Sequence, residues 1–223
     1  MGKQEVRARI EQVGIVPVIR AASPDEARFA ADAVLQGGIS VVEITMTVPG
    51  AVDLIRELTR TMPEVLVGAG SVLDVKSAQR CLDAGAKFIV SPGLDVKTVA
   101  FVKDAGILMM AGALTPTEVV TAWRAGSDLV KIFPCAQVGG ASYIKALKGP
   151  FPQIPMIPTG GVNLSTAAEF IRAGSAALGV GGELILKEAV KSRKPEAITE
   201  TARKLVEIVR QTRAETAAAS GAR

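Results

Sequence analysis

The 223-residue chain has 26 basic and 22 acidic residues, no histidine, two cysteines, and a hydrophobic fraction of 48%. Lacking histidine, it has no Ser-His or Cys-His nucleophile pair and no imidazole for a transition metal; no metal and no cofactor is expected. The net charge of +4 is local: residues 187–223 hold 9 basic and 5 acidic residues, the other 17 of each cancel, and aromatics are only 4%, so no nucleic-acid partner is expected.

Lys3–Val13 places Val6, Ile10 and Val13 at helical spacing and predicts a short helix able to plug the bottom of a barrel. One unit then repeats. Short apolar runs alternate with amphipathic stretches at intervals of roughly 20–25 residues, the size of a minimal βα unit. The runs are Ile15–Arg20, Val41–Met46, Val65–Val72, Phe88–Pro92, Leu108–Ala113, Leu129–Pro134, Met156–Gly161 and Ala177–Gly182. Helical stretches between them include Ser23–Gln36, Ser77–Ala84, Val96–Ala105, Thr117–Ala125 and Thr166–Ala173. Ser23-Pro24 and Thr115-Pro116 each place a capping hydroxyl before a first-turn proline. Gly38, Gly85, Gly106, Gly126 and Gly174 follow helical patterns where a left-handed residue closes the helix.

Eight such units predict an α/β fold of the (β/α)₈ TIM barrel type with an extra N-terminal helix. Nearly continuous apolar strands suit a parallel sheet covered on its outer face. Pro195–Thr212 reads as the final helix, and residues 213–223 read as a frayed tail with little to bury. Residues 1–212 are therefore expected to form a single domain. Lys145 and Lys148 read as solvent-facing on an amphipathic helix.

No apolar stretch approaches the ~18 residues of a membrane span, so no membrane partner is expected. The first residues lack an apolar signal region, and two cysteines make no disulfide framework. A cytoplasmic location with free, inert thiols is the expectation.

Two charges stand out because they fall inside apolar runs. Lys131 lies in Leu129-Val130-Lys131-Ile132-Phe133-Pro134, and Glu43 in Val41-Val42-Glu43-Ile44-Thr45-Met46. Taking an ammonium out of water is costly, and desolvation favours the neutral amine, a nucleophile that can form a Schiff base with a ketone. Glu43, Thr45 and Thr47 share one face of a strand, and Lys131 shares a face with Phe133. If those faces turn inward, amine and carboxylate meet in the lumen. A buried Lys–Glu pair can equally be structural. Arg20, Thr47, Ser71, Pro92, Thr159, Gly160, Gly161, Gly181 and Gly182 fall at strand ends, where barrels of this type carry their sites. The glycine pairs could cradle an anion on backbone N–H groups or simply make tight turns. Arg20 suits a carboxylate or phosphate.

At these residues the chain resembles the class I aldolase family of 2-keto-3-deoxy-6-phosphogluconate (KDPG) aldolase, also described as 4-hydroxy-2-oxoglutarate aldolase. The matching segments run in order from Val18-Ile19-Arg20-Ala21 through Glu43-Ile44-Thr45-Met46-Thr47, Gly68-Ala69-Gly70-Ser71-Val72, Phe88-Ile89-Val90-Ser91-Pro92-Gly93, Leu114-Thr115-Pro116-Thr117-Glu118 and Val130-Lys131-Ile132-Phe133-Pro134 to Pro158-Thr159-Gly160-Gly161-Val162. The resemblance implies Lys131 as the Schiff-base lysine and Glu43 as the general acid/base. It implies a pyruvate carboxylate near Thr47 and Ser71, the methyl end near Phe133, Arg20 close by, and a phosphate over Gly160-Gly161 and Gly181-Gly182. It implies a small-molecule 2-ketoacid substrate and a homotrimer. The chain departs from the pattern at Thr47, where some members carry arginine, at Ser71, where many have threonine, and at Glu183, where some have serine. The competing readings are a sugar-phosphate isomerase or epimerase, which needs no buried lysine, and a non-catalytic self-assembling scaffold.

Overall fold

The computed structural model describes residues 1–221, with side chains through residue 219. Helix α1 (Lys3–Val13) precedes β1 (Ile15–Ile19), α2 (Pro24–Gln36), β2 (Val41–Thr45), α3 (Ala51–Thr61), β3 (Leu66–Gly70), α4 (Val75–Asp83) and β4 (Phe88–Val90). There follow α5 (Val96–Asp104), β5 (Leu108–Ala113), α6 (Pro116–Ala125), β6 (Leu129–Ile132), a 3-10 turn (Ala136–Val138) and α7 (Ala141–Lys148). The chain finishes with β7 (Met156–Pro158), α8 (Ala167–Arg172), β8 (Leu178–Val180), α9 (Lys187–Lys191) and α10 (Glu196–Gly221). The strands form one parallel sheet in the order β7-β6-β5-β4-β3-β2-β1-β8. A bridge between Thr159 and Gly179 joins its two ends, so the sheet closes into the expected (β/α)₈ barrel.

Local chemistry sets the helix starts. The Ser23 side chain accepts the Glu26 N–H at 3.2 Å, with Pro24 in the first turn. Thr115 and Glu118 form a reciprocal capping box. Asp74 accepts the Ser77 N–H at 2.7 Å, so α4 begins at Val75, two residues before the start read from periodicity. The predicted strand runs extend past the observed strands because their last residues turn off the sheet to form the barrel mouth.

Side-chain alternation divides the core. Val42, Ile44, Val130 and Ile132 point outward into the layer between strands and helices. Val16, Val41, Leu66, Phe88, Leu108, Leu129 and Ile157 point inward and pack with Val6 and Ile10 of α1. The N-terminal helix is therefore the plug its spacing predicts. Replacing the fully buried Ile10 by alanine should cost about 2–5 kcal/mol, read as a lower urea midpoint with an unchanged slope.

Two expectations are revised. Lys148 is half-buried and donates to the carbonyls of Ile154 (2.7 Å) and Pro152 (3.3 Å), which ties the end of α7 to the chain entering β7. Residues 213–221 continue α10 instead of leaving it as a tail. Arg213 anchors this stretch by donating to Gln12 O (3.1 Å) and Ala176 O (2.8 Å), contacts across the fold that local composition does not announce. Residues 222–223 of the predicted tail lie outside the described residues.

Candidate active site

One step above the apolar floor of the lumen, two inward positions change character. On β2 the residue after Val41 on the inner face is Glu43, and on β6 the residue after Leu129 is Lys131. Glu43 is 2% exposed and Lys131 3%. Their charged ends face each other, with Nζ 3.6 Å from Oε1. That separation is longer than a normal hydrogen bond, and Oε1 has no hydrogen-bond partner among the described residues. The pair is thus in contact but not locked, an arrangement in which one substrate oxygen can lie against both groups. Phe133, the next inward residue on this chain segment, holds its ring centroid 5.5 Å from Nζ.

Glycines make the room. A Cβ at Gly70 would stand 1.9 Å from Glu43 Oε1. Gly112 pairs in register with Lys131, and a Cβ there would meet the Pro92 backbone at 2.3 Å. Pro92 therefore packs its main chain over the strand beside the lysine. Gly70→Ala should displace the carboxylate by about 1 Å or more and lower kcat on the order of 10²-fold, with the helical circular-dichroism signal retained.

The other predicted site residues surround this pair or lie just above it. Thr47 Oγ1 lies 2.7 Å from Thr45 Oγ1. Thr45 already donates its proton to Ile19 O at 3.0 Å, so Thr47 is the donor within the pair. Thr47 must turn its hydroxyl to meet an anionic ligand. Ser71, at the end of β3, has φ 57°, a left-handed conformation that is uncommon for a residue with a side chain and that collects at functional sites. Arg20, Phe133, Thr159, Gly160, Gly161, Gly181 and Gly182 line one cavity of about 200 Å³ at the mouth, together with Glu183. All the residues singled out at strand ends lie on the same end of the barrel. The strain at Ser71 and the clearance left by Gly70 and Gly112 were not legible in sequence, since a glycine or serine at a strand end has many ordinary uses.

The thiols take no part in this cluster, although the Cys135 backbone N–H donates to the Thr159 carbonyl at 2.9 Å. Cys81 and Cys135 are free and buried, and burial pushes each thiol up to about 11. At pH 8 only about one thiol in a thousand is ionised, and access is closed besides. Both should resist a thiol reagent at pH 8 and react stoichiometrically once the protein is unfolded.

The family model for KDPG and KHG aldolase matches residues 6–201. The chain belongs to the KDPG and KHG aldolase family. It is 31% identical over 207 residues to the 2-dehydro-3-deoxy-phosphogluconate aldolase of Haemophilus influenzae, covering 93% of this chain and 98% of the relative. It is 32% identical over 193 residues to the KHG/KDPG aldolase of Escherichia coli, covering 86% and 91%. Its fold superposes on the KDPG aldolase of Legionella pneumophila with a TM-score of 0.83 at 30% identity, covering 90% of this chain and 97% of that one. That structure holds pyruvate captured as a covalent carbinolamine intermediate. Among the described residues no helix is long and apolar enough to cross a membrane.

Proposed function

We propose that this aldolase-family barrel cleaves 4-hydroxy-2-ketoacids reversibly to pyruvate and an aldehyde through a Schiff base on Lys131. The observation that carries the reading is the buried amine 3.6 Å from a buried carboxylate oxygen that has no other partner. The neutral amine adds to the C2 ketone. Glu43 passes a proton to the departing hydroxyl as the carbinolamine loses water and becomes an iminium. The C4 hydroxyl then gives its proton to the Glu43 carboxylate, the C3–C4 bond breaks, and its electron pair moves into the iminium. The aldehyde leaves, C3 of the enamine takes up a proton, and water releases pyruvate and restores the amine.

In this reading Thr47 and Ser71 hold the carboxylate end of the ketoacid, with Arg20 close by at the mouth. Pro92 and Phe133 shape the apolar side of the pyruvate pocket, and Thr159 with the two glycine pairs borders the aldehyde half. Pyruvate release from a 4-hydroxy-2-ketoacid, coupled to lactate dehydrogenase, tests the activity. Borohydride with pyruvate should leave a reduced adduct on Lys131, which an isomerase would not form, and no turnover with no adduct would sink the reading.

We further propose a cytoplasmic homotrimer. Leu73 (66% exposed) and Val96 (48% exposed) lie at the mouth ends of the neighbouring β3–α4 and β4–α5 connections. They are large apolar side chains that an interface between copies would cover. Light scattering behind a sizing column should return three times the 23.1 kDa chain mass.

A further inference from the structure

We propose that Ser91 is a positioning residue that sets which ketoacids the imine centre accepts. It holds the Pro92–Gly93 peptide beside Lys131 as a wall that admits no extra carbon on C3 of the substrate. This rests on the aldolase reading above and deepens it to the substitution pattern of the ketoacid. On β5 Leu108 and Met110 face the lumen, so Gly112, two residues on, faces it as well. A Cβ at Gly112 would stand 2.3 Å from the Pro92 carbonyl carbon, 2.4 Å from its oxygen and 2.5 Å from the Gly93 nitrogen. The place of a side chain is therefore taken by a peptide group inside the barrel. Gly112 pairs in register with Lys131, and neighbouring strands lie about 4.8 Å apart, so this peptide stands next to the lysine and level with it.

Ser91 accounts for the peptide's position. Where β4 ends, the Ser91 N–H donates to Met110 O at 3.1 Å, and a parallel ladder would next bring the Gly112 N–H to the Ser91 carbonyl. The Ser91 hydroxyl accepts that N–H instead, at 3.2 Å. The chain is thereby released from the ladder and turns inward across Gly112. Ser91 is 3% exposed, so bulk water cannot replace the hydroxyl. The far end of the turn is pinned by Asp95, which caps α5 by accepting the Thr98 N–H at 3.1 Å. A backbone wall fixed at both ends and stiffened by proline yields less than a side chain, which can change rotamer.

A ketoacid bound through C2 to Nζ lies among this wall, Phe133 and Glu43. In a 3-deoxy substrate C3 carries C4 and two hydrogens. The wall leaves room for the hydrogens and excludes a methyl. Ser91→Ala removes the acceptor. A buried N–H without a partner is costly, so the Gly112 N–H draws the Ser91 carbonyl back into the ladder. Pro92 then moves off Gly112 and the space beside C3 opens.

The test is a competition for Lys131 between 2-oxobutyrate, with one carbon on C3 as in the substrate, and 3-methyl-2-oxobutyrate, with two. Both are supplied at equal concentration with borohydride, and the masses of the adducts give their ratio, corrected by the ratio that a free alkylamine gives under the same conditions. The unsubstituted enzyme should disfavour the branched acid by roughly 10–200-fold, the range for one methylene in a pocket, and Ser91→Ala should narrow this to about threefold while still labelling with pyruvate. A corrected ratio near unity in the unsubstituted enzyme would overturn the proposal. An unchanged ratio in Ser91→Ala, whatever its urea midpoint, would do the same, since a purely structural hydroxyl moves stability alone. If Ser91→Ala does not fold, Ser91→Cys, whose thiol is a weak acceptor, takes its place with the same two outcomes. Absence of a pyruvate adduct on the unsubstituted enzyme defeats the aldolase reading itself, whereas a pyruvate adduct without discrimination defeats only the role of Ser91.

Discussion

Lys131→Arg should abolish turnover, with kcat/KM falling on the order of 10⁶-fold, the scale of losing a covalent nucleophile. Arginine keeps the positive charge beside Glu43, so the buried carboxylate retains a counter-ion. It cannot supply a neutral amine, because a guanidinium stays protonated throughout the accessible pH range. The substitution thus separates charge pairing from nucleophilicity. Lys131→Ala removes both, and breaking a buried pair from one side should cost about 3–5 kcal/mol of stability as well. The measurements are pyruvate release, mass of the borohydride-treated protein, and the urea midpoint. Substantial activity or a pyruvate adduct in Lys131→Arg would move the Schiff base elsewhere. A scaffold role predicts instead that both variants assemble and function unchanged.

Glu43→Gln should lower kcat about 10²–10⁴-fold, the usual worth of a positioned acid–base group. Glutamine has nearly the same shape, so the clearance above Gly70 accommodates it. The nucleophile survives, so borohydride should still trap a pyruvate adduct, formed more slowly. The split between surviving imine and lost turnover distinguishes a proton-transfer role from a purely structural one. If Glu43→Gln leaves kcat within a few-fold of the parent, the carboxylate is not the proton carrier and a water or hydroxyl must serve.

Much of the architecture was legible along the chain. The alternation of apolar runs with capped amphipathic stretches predicts eight βα units, because strand and helix periodicities and their caps are short-range properties. The plug was visible for the same reason: Val6 and Ile10 repeat at one helical turn. Boundaries were less legible. Asp74 moves the start of α4 upstream, and the runs ending at Arg20, Val72 and Pro134 include residues that leave the sheet. The reach of α10 depends on Arg213 finding carbonyls at Gln12 and Ala176, far away in sequence. Lys148 looked solvent-facing because helical spacing does not show which loop will fold back over the helix end.

The site divides along the same line. That Lys131 and Glu43 are anomalous follows from composition alone, since a charge within an apolar strand is costly wherever that strand lies. That they face each other at 3.6 Å was beyond the one-dimensional pattern, because β2 and β6 are distant both in sequence and around the barrel. The sequence by itself determined which residues carry the unusual chemistry and on which face of their strands they stand. Closure of the barrel decided that those faces converge, that Gly70 and Gly112 leave them room, and that Glu183 shares a cavity with Arg20. The reason is physical: burial preference and alternation are written residue by residue, whereas distance across a closed sheet comes from the packing of all eight strands together.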